Sequence, residues 1–413
     1  MNFLSDPVTF IGTWLSNLLL SLGLSQPLVT VIIKFIGAGL VGVIGFSLVI
    51  FTIWLERKLY ARIQDRLGPN RVGPWGIFQT IPDIIKIFTK EYITPEGADK
   101  VTYNLAPILM VSAVLLIWAV LPFAPTIVGT DVNVGALYLI AVGAIGALGI
   151  ILAGWSSNNK YSLLGAFRAV AQMVSYEIPM VLAILVPVLL GRTMGLNSLV
   201  NAQSVWFVFL SPIAAFIFFT SSIAETGRAP FDLLEAESEI VAGYQTEYSG
   251  LKFGMFYVGE FLHAFTISAL TATLFLGGWR GPFATQFPIL GVAWFFIKAF
   301  IVYFAVVLIR ITMPRLRIDQ MLNFNWKFLT PLALILLIIT AVVDKVFYLL
   351  IPGINISQAL IPFIRAGVHL LANIIIIFIT VLLLKSHRIQ GIQVVGKPRP
   401  VAVAPEPPAS VIS

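Results

Sequence analysis

The segment RAPFDLLEAESEIVAGYQTEYSG, residues 228–250, sets five carboxylates, Asp232, Glu235, Glu237, Glu239 and Glu247, into a chain that is otherwise largely apolar. With Glu225 just upstream, six of the 19 acidic residues fall within residues 225–247. Asp232, Glu235 and Glu239 follow i, i+3, i+7 and so share one face of a helix, while Glu237 points the other way. Phe231, Leu233, Leu234, Ile240 and Val241 are interleaved with them, which gives such a helix an apolar sector that packs against something. Closely spaced carboxylates share protons and titrate as a coupled set, so the chemistry on offer is proton handling. A solvated charged loop is the plainer alternative.

Other ionisable groups interrupt apolar runs, where each costs about 2.5–3.5 kcal/mol on insertion scales and so becomes a functional candidate. Glu177 lies in MVSYEIPMVL, with Pro179 close by to free backbone carbonyls as polar neighbours. Glu260 and His263 stand i, i+3 on one helix face, and Lys298 sits inside a further apolar run. A buried ion pair or a snorkelling side chain is the structural alternative for each. A carboxyl in low dielectric can load and release a proton near neutral pH, which a relay through Glu177 and Glu260 requires.

A basic counterpart lies earlier, in ERKLYARIQDRLGPNRVGPWGIFQTIPDIIKIFTKE, residues 56–91. Glu56, Arg57 and Lys58 close an apolar run, and GPNRVGP is a turn stiffened by its prolines and glycines. Ile77, Phe78, Ile81, Ile84, Ile85 and Phe88 then recur at helical spacing, with Gln79, Asp83, Lys86 and Lys90 on other sides. That pattern predicts an amphipathic helix in the membrane interface. Beside an arginine-rich turn, it can frame an entrance for a lipid-like ligand with a polar head.

The elements that must position these groups are membrane helices. The 413 residues are 58% hydrophobic and only 11% charged, with a mean hydropathy of +0.95, and contain apolar runs of about 20 residues, the hydrocarbon thickness of a bilayer. The short alternating segments of a β-barrel are absent. The expected fold is an all-α polytopic membrane protein with spans at 29–56, 104–124, 136–155, 171–191, 206–224, 253–277, 289–312, 328–351 and 364–385, plus interfacial helices. Residues 8–24 are borderline between a tenth span and an interfacial helix. Residues 1–28 form an N-terminal segment, 29–385 one membrane domain with long loops at 57–103 and 225–252, and 386–413 a disordered tail carrying GKPRPVAVAPEPPAS. MNFLSDPVTF has no basic n-region, so no cleaved signal is expected.

With the loop after the first span assigned to the cytoplasm, all but six of the 26 basic residues fall on cytoplasmic loops and tail. Arg192, Arg280, Lys345 and Arg365 lie opposite, and Lys34 and Lys298 lie within spans. The N-terminus is then outside and the C-terminus inside. The net charge of +7 is thereby explained, and nucleic acid drops out as a partner. The glycines of GAGLVG at 37–42 and GAIGALG at 143–149 read as helix packing, since no strand precedes them to form a dinucleotide site. The chain has no cysteine for an iron–sulfur cluster or a disulfide, and His263, His369 and His387 do not face one another at one depth as haem ligands must. Any electron transfer belongs to a partner's cofactors.

ERKLYARIQDRLGPNRVGP (56–74), NNKYSLLGAFRAVAQMVSYE (158–177), PFDLLEAESEIVAGYQTEYSG (230–250) and RITMPRLRIDQMLNFNWK (310–327) resemble the H-type membrane chain family of NADH-quinone oxidoreductase, called subunit 1 in mitochondrial complex I. The likeness runs from about residue 30 to 390. It implies a membrane subunit at the junction of the redox and proton-pumping arms, forming most of a quinone tunnel entered from the bilayer. It implies quinone as substrate, and NADH, FMN and iron–sulfur clusters held on partners, with no metal or redox centre in this chain. The implied partners are the peripheral quinone-site and terminal iron–sulfur subunits and the small and antiporter-like membrane subunits. Carried onto matching positions, the resemblance implies that Glu56, Arg57, Arg66, Asp83, Arg228, Arg310 and Arg315 border the tunnel. It likewise implies that Glu177, Asp232, Glu235, Glu237, Glu239, Glu247 and Glu260 lead from it as a proton relay. The alternatives are the related subunit of a membrane-bound hydrogenase or similar reductase, and a stand-alone proton or cation transporter using Glu177 and Glu260.

Overall fold

The structure, a computed structural model, describes residues 6–232, 241–350, 357–358 and 360–395, the side chains of 386–395 excepted. In chain order the helices are α1 (Pro7–Ser21), α2 (Gln26–Ile63), α3 (Thr80–Thr89), α4 (Lys100–Trp118), α5 (Gly135–Ser156), α6 (Lys160–Gly191), α7 (Leu196–Ala202), α8 (Phe207–Leu210) and α9 (Pro212–Glu225). They continue as α10 (Gly250–Phe275), α11 (Pro288–Thr312), α12 (Ile318–Phe324), α13 (Thr330–Leu350) and α14 (Ile361–Val395). Among the described residues, eight helical segments are long and apolar enough to cross a membrane, with α12 and α13 running on as one. α8 and α9 supply the remaining apolar passage in two pieces, because Ser211 is extended (φ −140°) and Pro212 starts a new helix. The chain is an all-α polytopic membrane protein.

α10 is the central pillar, with an unbroken buried run from Ala264 to Phe275. Its Thr266 accepts a 2.6 Å hydrogen bond from the Trp118 indole of α4. α2 runs along the outside, and Gly45, Val49, Thr52 and Glu56, spaced four, three and four, form its inward stripe. That stripe aims Glu56 into the bundle and leaves its neighbour Arg57 outside.

Several helices begin or end where polar side chains, not hydropathy, decide. α6 starts at Lys160 instead of the expected 171, because the Asn159 side chain caps it by accepting from Tyr161 N at 3.0 Å. α4 stops at Trp118, short of the expected 124, where the chain turns and Thr130 N bonds back to Ala119 O. α1 has 15 residues, about 22 Å, less than the roughly 30 Å hydrocarbon core. Asp6 caps α1 through Thr9 N and also accepts from Thr126, tying it to the loop after α4. α14 stays helical to Val395, past the boundary expected for the tail; residues 396–413 lie outside the described residues.

The turn before α3 depends on Gly76, whose φ is +75° and where a Cβ would lie 2.2 Å from Pro69 O. It delivers α3 with Ile81, Ile85 and Phe88 exposed, continuing from exposed Ile77 and Phe78 in the turn before it, the apolar face expected of an interfacial helix. Between α12 and α13 the backbone makes a π turn, Asn325–Leu329, where the Asn325 amide donates to Ser175 O of α6 at 2.6 Å. α13 then buries Leu332, Leu336, Thr340, Asp344 and Phe347.

Three basic residues opposite the long loops are absorbed into the fold. Arg365 of α14 binds Asp344 through Nε at 2.8 Å and Nη2 at 2.7 Å, and also donates to Leu190 O. Arg192, the left-handed C-cap of α6, approaches Asp344 at 3.6 Å and lies over Tyr348; His369 is 3.4 Å from the same carboxylate. Arg280 donates to Gln203 O and Asn201 O. Lys298 is also structural: its ammonium donates to the carbonyls of Leu276, Gly278 and Arg280 at 2.7–2.9 Å, ending α10.

Candidate functional site

At the end of the bundle that carries the long loops, the Glu56 carboxylate is only 3% exposed and is fully engaged. Oε1 accepts from the Arg228 guanidinium and from the Tyr303 hydroxyl at 2.6 Å, and Oε2 accepts from Arg310 at 2.9 Å. Separate segments converge here: α2 brings Glu56, the turn after α9 brings Arg228, and α11 brings Tyr303 and Arg310 two helical turns apart. Phe261 of α10 provides an aromatic floor 4.7 Å below Arg228. Burial alone would lower the pKa of Arg228; Glu56 beside it more than reverses this, so the guanidinium stays charged.

The cluster has polar neighbours with capacity left over. Asp232 lies within electrostatic reach of Tyr60, whose ring is 5.8 Å from Arg310, and Glu260 lies within reach of Arg228. Arg228 Nε and Asp232 Oδ1 are buried without a protein hydrogen-bond partner. Buried polar atoms of that kind mark sites for water or a polar ligand.

A second group adjoins the first through α10. Glu225, at the end of α9, is buried with Oε1 4.0 Å from His263 Nε2, and Glu177 of α6 is within electrostatic reach of it. Gly143 of α5 lies alongside, where a Cβ would stand 3.9 Å from Glu225 Oε1, an ordinary contact. His263 also feels Arg228, so the two groups are neighbours. The result is an arc of ionisable side chains from Asp232 and Glu56 through Arg228, Glu260 and His263 to Glu225 and Glu177.

Of the residues singled out by sequence, Glu56, Arg228, Arg310, Asp232, Glu260 and Glu177 fall on this arc. Arg57 and Asp83 form a 2.5 Å ion pair at its exposed margin, clamping α3 to α2. Arg66 is exposed and bonds Gln64 at 2.7 Å; Arg315 is exposed beside Leu316, whose N–H binds Pro230 O. Glu247 stands apart from the arc. Its carboxylate accepts from Asn159 at 2.6 Å, and it lines a polar recess of about 380 Å³ with Pro95, Gly97 and Asn158. Glu235, Glu237 and Glu239 lie outside the described residues. Tyr303 and Glu225 complete the arrangement; the sequence places Glu225 in the acidic cluster without assigning it to the relay, and does not single out Tyr303. Glu225 carried a usable signal, an acid ending an apolar run; Tyr303 carried none, since tyrosine is ordinary in such a helix.

The sequence model of the NADH dehydrogenase family matches residues 36–341, and that span contains the whole arc. A protein of Dehalococcoides mccartyi strain CBDB1, named as the H chain of NADH-quinone oxidoreductase, is 49% identical over 322 residues, 77% of this chain and 90% of that one. Proteins of the same name from Carboxydothermus hydrogenoformans and Geobacillus sp. WCH70 are 47% and 44% identical, over 76% and 78% of this chain and 90% and 98% of theirs. The chain belongs to the NADH dehydrogenase family.

Proposed function

We propose that this chain is the membrane subunit of a bacterial proton-translocating NADH-quinone oxidoreductase that admits quinone to the reduction site and passes protons onward through buried carboxylates. One observation carries the reading: Glu56 is buried inside the helix bundle between Arg228, Arg310 and Tyr303, with Asp232, Glu260, His263, Glu225 and Glu177 continuing from it. The apolar face of α3 and the outside of α2 flank an approach suited to a lipid-soluble molecule with a polar head. Arg57 and Asp83 fix α3 at that approach, with Arg66 and Arg315 on the surface nearby.

Reducing a quinone consumes two electrons and two protons. This chain has no cysteine to hold an iron–sulfur cluster, so the electrons come from NADH through flavin and iron–sulfur groups on partner subunits. The residues here do the proton work. Glu56 and its two arginines set the local field, Asp232 and Glu260 exchange protons with the quinone's surroundings, and Glu225, His263 and Glu177 pass the imbalance across the bundle. Glu235, Glu237, Glu239 and Glu247 extend the acid supply on the loop side, which faces the cytoplasm by the distribution of lysine and arginine, with the N-terminus outside. Antiporter-like membrane partners receive the protons, and the isolated chain is inactive.

Glu56→Gln in the assembled complex tests this. NADH-driven quinone reduction should fall at least about tenfold, the scale of losing a buried charge from a coupled site, while an artificial acceptor reduced upstream is unaffected. Wild-type quinone turnover in that variant would overturn the proposal.

A further inference from the structure

The arc depends on one short piece of backbone. Residues 224–232 carry Glu225, Arg228 and Asp232, yet lie between the end of α9 and the acidic segment, outside any helix apart from its first two residues. Gln172 of α6 spans this piece. Its side-chain amide nitrogen donates to Ala224 O at 2.6 Å and to Phe231 O at 2.7 Å. Both partners are carbonyls, so only the NH2 end can serve them, and the amide orientation is fixed by chemistry. Gln172 is fully buried and its remaining oxygen has no protein partner. Two further ties act at the far end: Leu316 N–H binds Pro230 O at 3.0 Å, and the Tyr176 ring, one turn along α6, packs 5.3 Å from Phe231.

We infer that Gln172 is a positioning residue that closes the 224–231 turn at both ends and thereby sets Arg228 against Glu56 and Glu225 against His263. A single amide nitrogen thus bridges the two ends of the turn. Because Gln172 and Glu177 share α6, the same contact fixes the spacing between the two groups of the arc. The inference rests on the proposed quinone and proton function.

The charged groups on the elements that meet here are Arg168 and Glu177 on α6, Glu225, Arg228 and Asp232 on the segment itself, Glu260 and His263 on α10, and Arg315 and Arg317 on either side of Leu316. Glu at position 172 has the same length but lacks the NH2. It can donate only when protonated, to one carbonyl, and as a carboxylate it repels both. In Gln172→Glu, quinone turnover per assembled complex should fall as pH rises, by about tenfold beyond any change in wild type, and should recover at the acid end of the working range. In Gln172→Leu it should be low at every pH, with assembly, checked on native gels, retained for both. A merely space-filling role predicts turnover per complex, and its pH profile, parallel to wild type in both variants, and that result would overturn the inference. Glu56→Gln, run alongside, separates the two ideas. If it is impaired while the position 172 variants track wild type, only the role of Gln172 fails; if it is normal, the proposed function fails and this inference with it.

Discussion

Two buried carboxylates in this protein are each approached by two arginines, and the roles we propose for them are opposite. Glu56 is held by Arg228, Arg310 and a tyrosine hydroxyl; Asp344 is held by Arg365 and Arg192, with His369 alongside. At Asp344 the guanidinium of Arg365 also donates to Leu190 O, and the cluster joins α13, α14 and the end of α6. At Glu56, Arg228 Nε and the neighbouring Asp232 Oδ1 are left without partners, and further acids and a histidine continue from the cluster. An acid between two arginines is therefore not a functional signature by itself. Unspent hydrogen-bonding capacity and a line of titratable neighbours are what distinguish the proposed relay from a structural ion cluster.

This contrast can be broken by experiment. Asp344→Asn should cost about 3–5 kcal/mol of stability by stranding the largely buried Arg365 guanidinium, Arg192 being exposed to solvent, seen as a lower unfolding temperature and easier proteolysis ahead of α14. Turnover per assembled complex should stay within about twofold of wild type, because the cluster touches no member of the arc. A loss of quinone reduction with stability intact would abolish the distinction. Tyr303→Phe keeps the ring and removes only its bond to Glu56, so turnover should drop by roughly three- to tenfold with little change in stability; unchanged kinetics would make the Glu56 group another structural ion cluster. Asp83→Asn sharpens the boundary. The Arg57–Asp83 pair is partly exposed, worth under about 1 kcal/mol, and its loss should show mainly as a raised apparent KM for quinone.

The nine apolar passages were legible because hydropathy reports bilayer thickness directly. The ends of helices were not: the polar stretch from Asn159 to Arg168 interrupts the apolar run but continues α6. Individual acids were legible by their cost within apolar runs, as with Glu177 and Glu260. Their companions were not, since Glu56 meets Arg228 and Tyr303 across 172 and 247 residues of chain, and no local pattern encodes such distances. The resemblance supplied Glu56, Arg228 and Arg310 but not that the two arginines share that carboxylate, and it grouped Glu247 with acids from which the fold holds it apart.

The π turn at Asn325–Leu329 has a consequence for chain length. A wide turn holds one residue more than an α turn, so everything after it is rotated by about 100° from where a continuous helix would put it. Deleting a single residue there would straighten the helix and swing Leu332, Leu336, Thr340 and Asp344 out of the interior together. The position of Asp344 opposite Arg365 is thus a matter of counting: it is set by one surplus residue many positions earlier, and a one-codon loss would undo the attachment of the last helix without altering any residue in it.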